Sequence, residues 1–153
     1  MDQSRRAFFK SASMLGIVVT SGLLSSINVL GAEWVEASFK AKTLDEAIKS
    51  VGVDSYTMSQ EVSVSAAEIA ENGAVVPVTV SSNIPNTEYM AIFVEKNPNP
   101  LATAFEIPSG TVAEVSTRIK MGETSNILTV VKANGKWFAA KKEIKVTLGG
   151  CGG

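Results

Sequence analysis

From Val62 onward, apolar and polar residues alternate with the period of two that half-buried strands require. The alternation opens in Val62-Ser63-Val64-Ser65 and continues through the run from Val75 to Val80. Five further strand-like runs follow, over 89–95, 101–107, 113–120, 127–132 and 136–148. Between them stand Asn86, Asn97-Pro98-Asn99-Pro100, Pro108-Ser109-Gly110 and Asn134-Gly135, all turn-favouring, with Asn-Gly the strongest two-residue hairpin signal. About seven short strands separated by turns every ten or so residues predict an all-β fold, an immunoglobulin-like antiparallel β-sandwich. The cysteine and tryptophan signature of true immunoglobulin domains is absent, so the pattern leaves the strand order open. Pro77 cannot donate a ladder hydrogen bond, which predicts an edge strand or a bulge there. Trp137 and Phe138 are expected in the core or at an interface rather than as a ligand platform.

Ahead of the strands the period changes. Thr43-Leu44-Asp45-Glu46 is a capping box, in which the Thr43 hydroxyl accepts from the Glu46 amide while the Glu46 side chain reaches back. Leu44, Ala47, Ile48 and Val51 then recur at helical spacing and Gly52 supplies the stop. One short amphipathic helix is expected, packed on its own domain rather than on a partner.

The N-terminus reads as a targeting segment. Ser4-Arg5-Arg6-Ala7-Phe8-Phe9-Lys10 precedes an uncharged stretch over 11–32 that ends in the small residues Gly31-Ala32. Arg5 and Arg6, with Phe8 and Lys10, resemble the twin-arginine export motif, which implies a periplasmic protein. Thr20, Ser21, Ser25, Ser26 and Asn28 make the stretch only mildly apolar, so a stable membrane anchor is not expected. The expected organisation is a signal peptide over 1–32, a sandwich domain with its N-terminal helix over 33–148, and an arm over 149–153. The mature chain is expected to begin near Glu33.

Charge and composition then narrow the chemistry. The chain has 14 Lys+Arg and 15 Asp+Glu, a net charge of -1. Removing residues 1–32, with three basic residues and one acidic, leaves 11 against 14, or -3. No nucleic-acid footprint results. With no histidine and one cysteine in 153 residues, serine–histidine triads and Cys/His zinc sites are excluded within the chain, and no metal or cofactor is expected. One cysteine cannot form an intrachain disulfide, and a free thiol in an oxidising compartment needs a reason.

That cysteine is Cys151, flanked by Gly149, Gly150, Gly152 and Gly153 at the C-terminus. Glycine loses the most backbone freedom when fixed, so the sequence predicts a flexible arm. Three residues past Leu148, at about 3.3–3.6 Å each, carry the sulfur roughly 10 Å from the domain. Fixing five backbone residues at about 1–2 kcal/mol each costs roughly 5–10 kcal/mol, so docking should be weak and reversible. The nearest basic residue is Lys145, so the thiol is expected near the ordinary value of about 8.5 and must be activated by a partner's site. These features describe a covalent carrier and not an enzyme.

The twin-arginine leader, the Gly-Gly-Cys-Gly-Gly terminus and two inner stretches together resemble the SoxY family of the sulfur-oxidising (Sox) thiosulfate pathway. The inner stretches are Val94-Glu95-Lys96-Asn97-Pro98-Asn99-Pro100-Leu101 and Ser116-Thr117-Arg118-Ile119-Lys120-Met121-Gly122. The resemblance implies a heterodimer with an immunoglobulin-like SoxZ subunit and sulfur carried on Cys151. It implies that a c-type cytochrome, SoxXA, couples thiosulfate to the thiol and that the hydrolase SoxB releases sulfate. A sulfane dehydrogenase or another acceptor then clears the remaining sulfur. Three rival classes fit less well. A ubiquitin-like carrier also ends in Gly-Gly, but it needs cytoplasmic ATP activation and more helix. An adhesive sandwich domain would leave the cysteine incidental. A cysteine peroxidase or reductase would lack its resolving cysteine and activating base.

Overall fold

The computed structural model describes residues 36–147, which form two short helices and nine strands. The helices are α1 (Glu36–Lys40) and α2 (Leu44–Ser50). The strands are β1 (Thr57–Met58), β2 (Val62–Ser65), β3 (Ile69–Ala70), β4 (Val76–Ser82), β5 (Thr87–Val94), β6 (Leu101–Glu106), β7 (Glu114–Ile119), β8 (Ser125–Ala133) and β9 (Lys136–Val146). The expected signal peptide over 1–32 and the arm over 149–153 lie outside the described residues.

The strands make the expected sandwich. One sheet runs β1-β9-β8-β5-β6, with β3 also paired to β9; the other runs β2-β4-β7. Neighbours are antiparallel except β1 and β3, which both lie parallel to β9. The β8–β9 hairpin turns at Asn134-Gly135, both at positive φ (52° and 71°), the backbone shape that Asn-Gly favours.

The large sheet is covered on both faces. Met90, Ile92, Val94, Ile127, Val131 and Ile144 point into the core between the sheets, together with Val76, Val78 and Val80 of β4. Their alternate neighbours Ala91, Phe93, Leu128, Val130 and Ala139 point the other way, into a second cluster closed by Ala47 and Ile48 of α2 and by Val53. Trp137 and Phe138 accordingly part company, Trp137 packing on the helix side and Phe138 on the inter-sheet core. Helix α2 is thus a helix of its own domain. Thr43 caps it as expected, its Oγ1 accepting from the Glu46 amide at 3.2 Å, while the Glu46 carboxylate reaches one residue further back than a capping box requires and accepts from the Lys42 amide at 3.2 Å. Gly52, at φ 83°, ends it.

The expectation for Pro77 is corrected. β4 is the middle strand of its sheet, and β2 pairs only with Thr79–Ser82. The Ser82 amide donates to the Ala113 carbonyl of the β7 side at 2.9 Å. Alternation from there turns the Pro77 nitrogen away from β7, into the stretch that β2 does not reach. A proline therefore sits in a central strand without breaking a ladder bond.

Candidate functional site

The residues expected to do the chemistry, Cys151 with Gly149, Gly150, Gly152 and Gly153, lie outside the described residues, as do Arg5 and Arg6 of the expected export signal. What the structure does define is the root from which residues 148–153 continue, and that root is anchored from three directions.

First, β3 lies against the last residues of β9, pairing Ile69 with Lys145 and Ala70 with Val146. The Lys145 amide donates to the Glu68 carbonyl at 2.9 Å, and the Thr147 amide donates to the Ala70 carbonyl at 3.1 Å. Second, the Thr124 hydroxyl, in the turn between β7 and β8, accepts from the Val146 amide at 2.9 Å and reaches back to the Val146 carbonyl at 3.5 Å. Third, Gly73 passes close beneath. Its carbonyl accepts from the Met121 amide at 2.7 Å, and a Cβ built at Gly73 would lie 2.4 Å from the Met121 oxygen and 2.9 Å from Val146 Cγ1. Only glycine admits this approach.

The β5–β6 and β7–β8 turns are joined at the same end of the sandwich. Asn97 Nδ2 donates to the Lys120 carbonyl at 2.7 Å, and Asn97 Oδ1 accepts from the Gly122 amide at 3.1 Å. One amide side chain thereby clips together the two stretches on which the family resemblance rested. Nearby, Glu95 accepts from Asn126 at 2.8 Å and pairs with Lys141 at 2.5 Å. Burial alone would raise the Glu95 carboxyl. Hydrogen bonds from Lys141 and Asn126, with the charges of Lys141 and Lys96, outweigh it and hold the pKa below the ordinary carboxylate value.

The opposite end is built differently. There Tyr89 and Trp137 stack edge to face, 5.8 Å between centroids, beside an open groove of about 480 Å³ that Glu106 and Pro108 also line. Burial, then the charge of Glu106, raises the Tyr89 hydroxyl pKa. Among the described residues, no serine, threonine or cysteine lines the groove.

Sequence reasoning found the thiol and missed its anchorage. Asn97 was read only as a turn former, and neither Thr124 nor Gly73 drew attention. The adjacent Asn72-Gly73 pair is a turn signal that points to this crossing.

Comparison with known proteins agrees with this architecture. Residues 48–151 match the family model for the sulfur oxidation protein SoxY. Among solved structures, the sulfur carrier protein SoxY from Chlorobium limicola f thiosulfatophilum is 40% identical with a TM-score of 0.64, and the alignment covers 74% of this chain and 99% of that one. A superoxide reductase (neelaredoxin) from Ignicoccus hospitalis is 17% identical with a TM-score of 0.50, over 57% of this chain and 81% of that one, a likeness of fold alone. No curated protein matches. A family match of this extent, on a sandwich of the same fold, places the chain in the SoxY family of sulfur oxidation proteins.

Proposed function

We propose that this protein is a periplasmic sulfur carrier that holds thiosulfate-derived sulfur covalently on Cys151 and presents it to partner enzymes of the Sox pathway. The observation that carries the reading is the family match, which runs from residue 48 to residue 151. It continues through a strand end pinned by Thr124, Ala70 and Glu68, five residues short of the thiol. Such a root supports delivery: the domain is fixed where the arm begins, and glycines on both sides of Cys151 leave a slim segment to enter a cleft.

The cycle balances as follows. The Cys151 thiolate and thiosulfate join through a new sulfur–sulfur bond, and two electrons pass to the cytochrome SoxXA. Water, with SoxB as catalyst, then cleaves the terminal sulfonate as sulfate and leaves a persulfide on Cys151. A sulfane dehydrogenase then oxidises the outer sulfur to a sulfonate, with oxygen from water and six electrons passed to its acceptor, and a second hydrolysis releases it as sulfate; alternatively a nucleophilic acceptor takes the outer sulfur directly, and by either route the thiol returns. The subunit SoxZ is the expected companion, and Arg5 and Arg6 direct export. In this reading the carrier supplies no catalytic group and needs no cofactor. Thiosulfate turnover reconstituted with the partner enzymes tests it: Cys151→Ser should abolish turnover while thermal unfolding stays at the wild-type value. Retained turnover removes Cys151 from the mechanism.

A further inference from the structure

The helices cover the outer face of the large sheet only as far as Val51, the residue that caps the end of α2. Beyond it a row of side chains crosses four strands on that same face. Tyr89 of β5 pairs with Glu106 of β6 and with Lys132 of β8, and Lys132 pairs with Trp137 of β9. Residues paired across strands share a face. With Val51 and Pro108 they line the open groove of about 480 Å³. Tyr89 and Trp137 are half-buried beneath it, their rings edge to face.

Charge in the groove does not cancel. Lys132 lies 3.8 Å from Glu88 and 5.9 Å from the centroid of the Trp137 ring. Glu106 is exposed and has no ion-pair partner among the described residues. Two aromatic rings beside an uncompensated carboxylate suit an apolar segment that ends in an ammonium group.

The chain itself enters the domain at this place. The Ser38 hydroxyl of α1 donates at 3.2 Å to the carbonyl of Ser50, the residue before Val51. The Phe39 carbonyl accepts from Asn99, in the β5–β6 turn at the arm-root end. Helix α1 therefore runs away from the groove, and the residues preceding Glu36 approach from the groove's side. Those residues are Glu33-Trp34-Val35. Three extended residues, at about 3.3–3.6 Å each, reach roughly 10 Å. Glu36 is about 3 Å along the helix from Ser38, at about 1.5 Å per residue, so the groove is within that reach. Trp34 and Val35 supply apolar surface, and a chain cut before Glu33 supplies the ammonium.

We propose that the groove seats the processed N-terminus of this chain, with Trp34 and Val35 against Tyr89 and Trp137 and the α-ammonium of Glu33 against the Glu106 carboxylate. The inference rests on the export reading, in which the mature chain begins near Glu33. In the precursor an uncharged peptide bond to Ala32 stands where the ammonium would be, with nothing to offer Glu106. Removal of the leader thereby completes the cover of the outer face, at the end of the domain opposite the arm root.

The test uses the mature chain released from a cleavable N-terminal tag so that it starts at Glu33, kept reduced. Near pH 7 the α-amino group, ordinarily at about 7.7–8.0, acylates well before lysines at about 10.4, and mass mapping of the N-terminal peptide reads its rate. Glu106→Gln should raise that rate roughly threefold or more, the scale of one exposed ion pair, while Glu114→Gln on the other sheet should leave it unchanged. Trp34 and Trp137 are the two tryptophans of the chain, so Trp34→Phe leaves Trp137 to report alone. In that background a chain starting at Glu36 should show Trp137 emission shifted to the red and quenched more readily by acrylamide than in the chain starting at Glu33. Glu106→Gln should increase quenching in the chain starting at Glu33 and have no effect once a short Gly-Ser extension precedes Glu33. Dependence on the free end excludes misfolding as the cause. Because the tested chain is made to start at Glu33, these outcomes do not depend on where the leader is cleaved in the cell, which N-terminal sequencing of the periplasmic protein reads separately. Equal Trp137 quenching for chains starting at Glu33 and Glu36 would leave the groove to a partner or a second copy and overturn the proposal, as would an α-amino rate indifferent to Glu106→Gln.

Discussion

Replacing Gly73 with alanine puts a methyl carbon 2.4 Å from the Met121 oxygen and 2.9 Å from Val146 Cγ1. The first contact is with backbone and cannot be relieved by a rotamer change. The 71–75 turn must therefore move off the β7–β8 turn, stretching the 2.7 Å bond from the Met121 amide to the Gly73 carbonyl. Overpacking of this kind costs about 1–3 kcal/mol, and a weakened hydrogen bond adds about 0.5–1.5 kcal/mol. At about 4 °C per kcal/mol for a domain of this size, the melting temperature should fall by roughly 6–18 °C. Gly122 is the control on the neighbouring strand end. A Cβ there meets only Asn97 Oδ1, at 3.8 Å, so Gly122→Ala should stay within about 0.5 kcal/mol of wild type or gain slightly. Thermal unfolding followed by circular dichroism reads both. Equal melting temperatures for the two variants would refute the close crossing of Gly73 beneath the arm root.

Thr129 is fully buried on β8 and its hydroxyl has no hydrogen-bond partner among the described residues, so Thr129→Val should stabilise the domain by about 1 kcal/mol or more, measured by urea unfolding; a loss of stability would mean the hydroxyl is satisfied. Glu95, with its depressed pKa, contributes stability that is present above the ordinary carboxylate pKa of about 4.3 and lost as pH falls through its folded value. Glu95→Gln should therefore cost up to about 1 kcal/mol near neutrality, and the gap in unfolding free energy should close in acid; a gap constant down to about pH 2 would contradict the pairing with Lys141. Replacing Arg5 and Arg6 with lysines should retain the precursor in the cytoplasm, read by fractionation, and unaffected export would point to another route.

The larger strands were legible because their burial is periodic or continuous and their turns carry Asn, Pro and Gly. The seven expected strands correspond to β2 and β4–β9, with ends displaced by at most two residues. The two-residue strands β1 and β3 escaped notice because two residues carry no period, and both pair in parallel across long sequence separations, which no local signal encodes. The five-residue helix α1 offers too little sequence to read. Pro77 misled in a particular way: a proline forbids a donor on one side only, and β2 is too short to need that donor. The thiol stood out because a lone cysteine among four glycines is a compositional anomaly. Thr124, Asn97 and Gly73 did not, because their roles come from contacts with Val146, Lys120 and Met121 that arise only on folding.

The central claim is that sulfur is carried on Cys151. Its most direct measurement is the intact mass of the mature protein after incubation with thiosulfate and its cytochrome partner, followed by peptide mapping without reductant. The account predicts a mass increase of one thiosulfonate group, removed by a thiol reductant and located on the C-terminal peptide that contains Cys151. It also predicts no increase for Cys151→Ser. An adduct on any other residue, or an unmodified Cys151 in a reaction that has reduced the cytochrome, would contradict it.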